Sequence, residues 1–148
     1  MKQNDFKELK QEIAKSGCYF LSLCKIAEKY INYELKYQDV LEIYYNIIKK
    51  DFMLHNCFIV EPVLILNFIF KMFGVNKKCV FNKIFDKANF NNPTDFTDFI
   101  AKVSIKNITP SHFLVVDKNL KIIYDPDKNL EKQQDKYIFS TIRAFNIK

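Results

Sequence analysis

Apolar positions recur at helical spacing through the first half of the chain and alternate or run together, as in strands, through the second. Residues 1–15 set Phe6, Leu9 and Ile13 on one helical face before Ser16–Gly17 interrupts. From Cys18 to Tyr30, the positions Phe20, Leu21, Cys24, Ala27 and Tyr30 or Ile31 form an apolar stripe, with Lys25, Glu28 and Lys29 outward. Lys36 to Lys50 repeats the pattern through Val40, Leu41, Tyr44, Ile47 and Ile48. A further helix opens at Glu61–Pro62, where proline suits the first turn, and closes at Gly74.

Lys78 to Phe81 reads as a short strand. Asn91-Asn92-Pro93-Thr94 reads as a loop capping a short helix from Asp95 to Lys102, with Asp95 and Asp98 as helix-start carboxylates. Ser111 to Val116 and Lys121 to Tyr124 are β-rich runs on either side of a hairpin turn at Asp117-Lys118-Asn119-Leu120. After a polar loop from Asp125 to Asp135, Lys136 to Ile147 alternates as another strand. Helices first and an antiparallel sheet afterwards predict an α+β domain spanning residues 1–148, a length suited to one core.

Composition narrows the function classes. Hydrophobic residues make up 49% of the chain, enough to build that core. The net charge of +6 comes from lysines spread along the chain, and Arg143 is the lone arginine. Specific base and phosphate readout leans on arginine forks, so no specific nucleic-acid partner is expected and the charge reads as a solvated surface. The most apolar stretch, Phe58 to Phe73, contains Glu61, Pro62, Asn67 and Lys71, which predicts a buried helix and no membrane insertion. Residues 1–12 are charged and lack a signal-peptide core, so a cytoplasmic location with reduced cysteines is expected. Cys18, Cys24, Cys57 and Cys79 show no metal-ligand spacing with His55 or His112, and no glycine-rich phosphate loop exists; neither a metal nor another cofactor is expected.

Candidate chemistry begins at Cys18. It follows one of two glycines in the chain and opens a helix, whose first N–H groups favour negative charge before them. Gly17 is expected to permit unusual backbone angles and leave space beside the thiol. His112 starts a strand in Ser-His-Phe-Leu-Val-Val-Asp, and Asp125 ends the next in Ile-Ile-Tyr-Asp-Pro. In a hairpin centred near Lys118–Asn119, Ser111 or His112 lies across from Tyr124 or Asp125. An imidazole held by a carboxylate is the base-and-orienter half of a nucleophilic triad, with Cys18 as the third member. In His55-Asn56-Cys57, Cys57 reads as core and His55 as surface, with Asn56 or Cys57 a weaker candidate for a cleft wall.

The segments Gly-Cys-Tyr-Phe-Leu-Ser-Leu (17–23), Ser-His-Phe-Leu-Val-Val-Asp (111–117) and Ile-Ile-Tyr-Asp-Pro (122–126) resemble three blocks of the papain-like cysteine peptidase superfamily. The nearest likeness is to its bacteriocin-processing, C39-like branch. The resemblance implies a papain-like fold whose first active-site helix starts at Cys18. It also implies Cys18 as nucleophile, His112 as general base and acid, and Asp125 as the group orienting His112. The implied activity is a cysteine peptidase or amidase working through an acyl-enzyme on a peptide or protein substrate. That superfamily carries a glutamine about six residues before the cysteine to hold the oxyanion. Here position 12 is Glu, the nearest candidate is Gln11, and the glycine common after the cysteine is Tyr19. Those departures also fit a catalytically inactive binding module; a non-specific nucleic-acid-associated basic protein is a third reading. The whole chain further resembles a family of spirochaete plasmid and prophage proteins of unassigned function, which implies a mobile-element context.

Overall fold

The computed structural model describes residues 1–6, 10–107 and 109–148. A 3-10 turn at Gln3–Phe6 precedes the helices α1 (Gln11–Ser16), α2 (Cys18–Ile31), α3 (Tyr37–Lys49) and α4 (Pro62–Met72). The strands follow: β1 (Cys79–Asp86), β2 (Asp98–Ile105), β3 (Thr109–Val116), β4 (Ile122–Tyr124) and β5 (Ile138–Ile147). They pair antiparallel in the order β1-β5-β2-β3-β4, giving the expected α+β arrangement of helices packed on one sheet. Further 3-10 turns occupy Lys87–Asn89 and Lys128–Lys136, the latter inside the predicted polar loop.

Helix α2 is buried along most of its length because it lies between the sheet and the other helices. Phe20, Leu21, Leu23, Cys24, Ile26 and Ala27 are all buried in a core that also takes in Ile43, Tyr44, Ile65 and Ile69. Each large side chain removed from water contributes about 1.5–3 kcal/mol, which secures the helix whose first residue is Cys18. Sheet residues Ile100, Val115 and Phe145 close this core from below. A second core forms around Ala101, Val103, Leu114, Val116, Ile142 and Ala144. Asn67, the polar residue in the apolar α4 segment, ties that helix to the sheet. Its amide donates to the Cys79 carbonyl at 3.0 Å and accepts from the Cys79 N–H at 2.7 Å.

Three expectations need correction. The helix predicted over Asp95 to Lys102 does not form; Asp98 begins β2, the central strand of the sheet. Bonded on one side to β5 and on the other to β3, this strand buries Phe99, Ile100, Ala101 and Val103 in succession. Such a strand shows no alternation, and its short apolar run mimics a helix. The amino-terminal segment is a 3-10 turn and the short α1, not one helix. Phe6 and Ile13 are still fully buried, while Leu9 lies outside the described residues.

Gly17 is the third correction. Its backbone angles are ordinary, φ −84° and ψ 9°. A Cβ there would sit 2.5 Å from the Ile13 carbonyl oxygen and 2.9 Å from Ile13 Cγ2. Glycine is required by the close approach of α1 to the start of α2, not by unusual dihedral angles. Gly74, in contrast, has φ +66° after α4, the left-handed geometry that stops a helix cleanly.

Candidate active site

Cys18 is the first residue of α2, half-buried, with the unpaired N–H groups of the first helical turn around it. Ser22, fully buried one turn later, donates its hydroxyl to the Cys18 carbonyl at 2.8 Å and fixes that turn. The thiol opens into a cleft of about 730 Å³. One wall is the segment from Asn56 to Pro62; the other includes Asn82 and Ile84 of β1, Lys102 of β2, Ser111 and Phe113 of β3, and Arg143 of β5. This volume lies in the range of sites that hold a small molecule or a few residues of peptide.

His112 is buried on β3, and its Nε2 donates to Asp125 Oδ1 at 2.7 Å. The predicted hairpin register does not hold: the residue across from Tyr124 is neither Ser111 nor His112. Val115 faces Tyr124 and Val116 faces Ile122, with a bulge between them. The turn lies where expected, at Asp117 to Leu120, and Asp117 organises it: Asp117 N–H donates to the Lys121 carbonyl, Asp117 Oδ1 accepts from the N–H groups of Asn119 and Lys121, and Leu120 takes φ 64°. Asp125 therefore meets His112 diagonally, from just beyond the end of β4.

The Asp125 carboxylate is itself held from several directions. Tyr137 donates its hydroxyl to Oδ2 at 2.6 Å, the Gln134 amide donates to the same oxygen at 3.3 Å, and the Asp127 N–H donates to Oδ1 at 3.0 Å. Burial disfavours the charge, but the His112 bond, the Tyr137 hydroxyl and the Asp127 N–H outweigh it and hold this carboxyl below the ordinary aspartate value. The amino terminus braces the same corner. Lys2 Nζ donates to the Asp125 carbonyl, and Gln3 N–H donates to the Pro126 carbonyl at 2.9 Å.

Burial also opposes charge on His112, yet the bond to Asp125 and the neighbouring Cys18 sulfur prevail and raise its pKa to about 9. The ring is thus an imidazolium at neutral pH. With Nε2 committed to Asp125, Nδ1 is the nitrogen left to exchange a proton with Cys18. The Cys18 sulfur acts on the imidazole both as a hydrogen-bond partner and through its charge. The other three thiols are more deeply buried than Cys18. Cys24, Cys57 and Cys79 are buried, and that burial pushes the Cys57 and Cys79 thiols up to about 12 and Cys24 further still. All four cysteines are free.

The structure brings Cys18, His112 and Asp125 together. It does not bring Gln11 with them: that residue is exposed on α1 and is not among those lining the cleft. His55 is exposed, Cys57 is buried, and both Asn56 and Cys57 line the cleft. Asp98, read from sequence as a helix-start carboxylate, is instead buried beneath Lys29, whose Nζ lies 2.6 Å from Oδ1. Tyr137, Gln134 and Arg143 were not singled out as site residues. The lone arginine was a usable signal; nothing local distinguishes Tyr137 from the other seven tyrosines.

Among the described residues, no three His, Cys, Asp or Glu side chains are grouped to hold a metal ion. No described helix is long and apolar enough to cross a membrane. A search of curated proteins and a search of solved structures each found no match. A family model matches residues 1–147, and by it the chain belongs to a family described as protein of unknown function, DUF261.

Proposed function

We propose that this protein is a cysteine hydrolase of peptide or amide bonds, with a papain-like disposition of a helix-borne nucleophile against a sheet-borne base. The observation that carries this reading is the buried His112–Asp125 pair at 2.7 Å, set beside a thiol that opens a helix and faces a cleft.

The Cys18 proton passes to His112 Nδ1 before the attack, giving the imidazolium of the resting site, and the sulfur then attacks the substrate carbonyl. The C–S bond forms and the carbonyl π electrons move onto oxygen. The Cys18 backbone N–H stabilises that oxyanion at the helix start. On collapse the C–N bond breaks, and the imidazolium returns its proton to the leaving nitrogen. His112 then deprotonates a water, which attacks the thioester; the C–S bond breaks, releasing the acid and the free thiol. Asp125 holds the ring in the tautomer these transfers require.

The second reading, an inactive binding module, is favoured by one observation, the position of Gln11 outside the cleft. Incubation with a proteome-derived peptide pool separates the two. The hydrolase generates new termini, detected by mass spectrometry, that vanish in Cys18→Ala and in His112→Ala. Absence of any Cys18-dependent cleavage, with Cys18 still the fastest-alkylated thiol, makes the protein a binding module.

A further inference from the structure

We propose that Arg143 is a substrate-specificity residue, which receives a carboxylate of the substrate close to the bond that Cys18 attacks. The proposal rests on the reading of Cys18 as nucleophile and adds to it the class of substrate: peptides or amides that carry a negative charge beside the scissile bond.

Arg143 is the lone arginine in a chain that otherwise draws its positive charge from lysine. It does not sit on a rim. On β5 it lies opposite Ile84 of β1 and Ile100 of β2, in the interior of the sheet, and it lines the cleft that Cys18 opens into. Its guanidinium carbon is 4.9 Å from the Phe113 ring centre and 5.8 Å from that of Tyr19. Those rings stack on each other at 4.6 Å. Tyr19 follows Cys18 and Phe113 follows His112, so the stack ties the arginine to both halves of the proposed machinery.

The guanidinium bonds the Thr141 hydroxyl and interacts with the Tyr19 hydroxyl, both neutral groups. No carboxylate pairs with it among the described residues. A half-buried permanent charge without a counter-ion is costly, and burial weakens its hold on its proton. An arriving carboxylate would relieve that cost. The guanidinium lies over the two rings and carries five N–H donors, so those left by Thr141 and Tyr19 can form a two-point bond, which lysine cannot form. The surrounding charge points the same way: Lys15 and Lys102 share the lining, against the single carboxylate of Glu61.

The test uses two alkylating agents of nearly equal size, anionic iodoacetate and neutral iodoacetamide, with the full-length protein at low salt. The His112 imidazolium favours iodoacetate in every variant, so the quantity of interest is the change in the rate ratio at Cys18. Arg143→Gln is expected to lower that ratio about fivefold, Lys102→Gln by less than twofold, and Arg143→Lys to retain most of it. Arg143→Met, which keeps the apolar stem of the side chain, should lower the ratio as far and serves if Arg143→Gln does not fold. N-acetylglutamate α-amide and N-acetylglutamine then separate the sources of the carboxylate, by which of them protects Cys18 from iodoacetamide. Protection by either that Arg143→Lys weakens supports a two-point bond. A rate ratio unmoved by Arg143→Gln and by Arg143→Met, with Cys18 still reacting fast, overturns the specificity proposal alone. A Cys18 no more reactive than Cys24, Cys57 and Cys79 toward both reagents overturns the hydrolase reading and this proposal with it.

Discussion

Replacing Asp125 with asparagine removes the charge that keeps a buried imidazole protonated. In the native protein the His112 pKa is about 9, against an ordinary 6.5. That gap corresponds to roughly 3 kcal/mol of preference for the charged ring, at about 1.4 kcal/mol per factor of ten. Burial works against the charge while the Cys18 sulfur still supports it, so without the carboxylate the ring should titrate well below its native value. The group's folded pKa exceeds its unfolded one. Its contribution to stability is therefore fully present below about pH 6.5 and is lost as pH rises through about 9. The chain has two histidines, which makes ring-proton NMR directly assignable with a His55→Gln control. The unfolding free energy of the native protein minus that of Asp125→Asn should shrink by about 1–3 kcal/mol between pH 6 and pH 10, the rest of the gap belonging to Cys18. Taking the difference cancels the tyrosines and lysines that titrate in both proteins. A His112 that titrates near 6.5 in the native protein and does not move in Asp125→Asn would refute the reasoning.

Three other substitutions probe the supports of the site. Gly17→Ala forces a Cβ to within 2.5 Å of the Ile13 carbonyl oxygen, so α1 and α2 must separate. Urea unfolding should show a loss of about 1–3 kcal/mol, with slower alkylation of Cys18 as its helix start shifts. Tyr137→Phe removes one donor from the Asp125 carboxylate and should cost about 1–3 kcal/mol near neutral pH. Asp98→Ala removes the buried partner of Lys29, Tyr30 and Thr97 that joins the far end of α2 to β2. A loss of about 2–5 kcal/mol is expected by chemical denaturation, with the alkylation rate of Cys18 unchanged per folded molecule.

The helices were legible because each shows one apolar face to a core, the condition under which spacing carries information. Strand β2 was not, because a strand bonded on both sides and covered on both faces loses the alternation that marks the others. Gly17 was noticed as rare, but its reason is a contact with Ile13 that no local pattern reveals. The pairing of His112 with Asp125 was anticipated from their place on adjoining strands, although the register that produces it depends on the Asp117-centred turn. Tyr137 and Arg143 reach the site from β5 and its approach, which the order β1-β5-β2-β3-β4 threads into the middle of the sheet. That crossover is long-range topology and leaves no signature in the residues beside them.

The central claim is that Cys18 is a nucleophile activated by His112, and competitive alkylation of the four thiols at neutral pH tests it most directly. Mass spectrometry after brief exposure to iodoacetamide should find Cys18 modified far ahead of Cys24, Cys57 and Cys79. His112→Ala should abolish most of that advantage without unfolding the protein. Equal, slow modification of all four cysteines, or a Cys18 rate unaffected by His112→Ala, would contradict it.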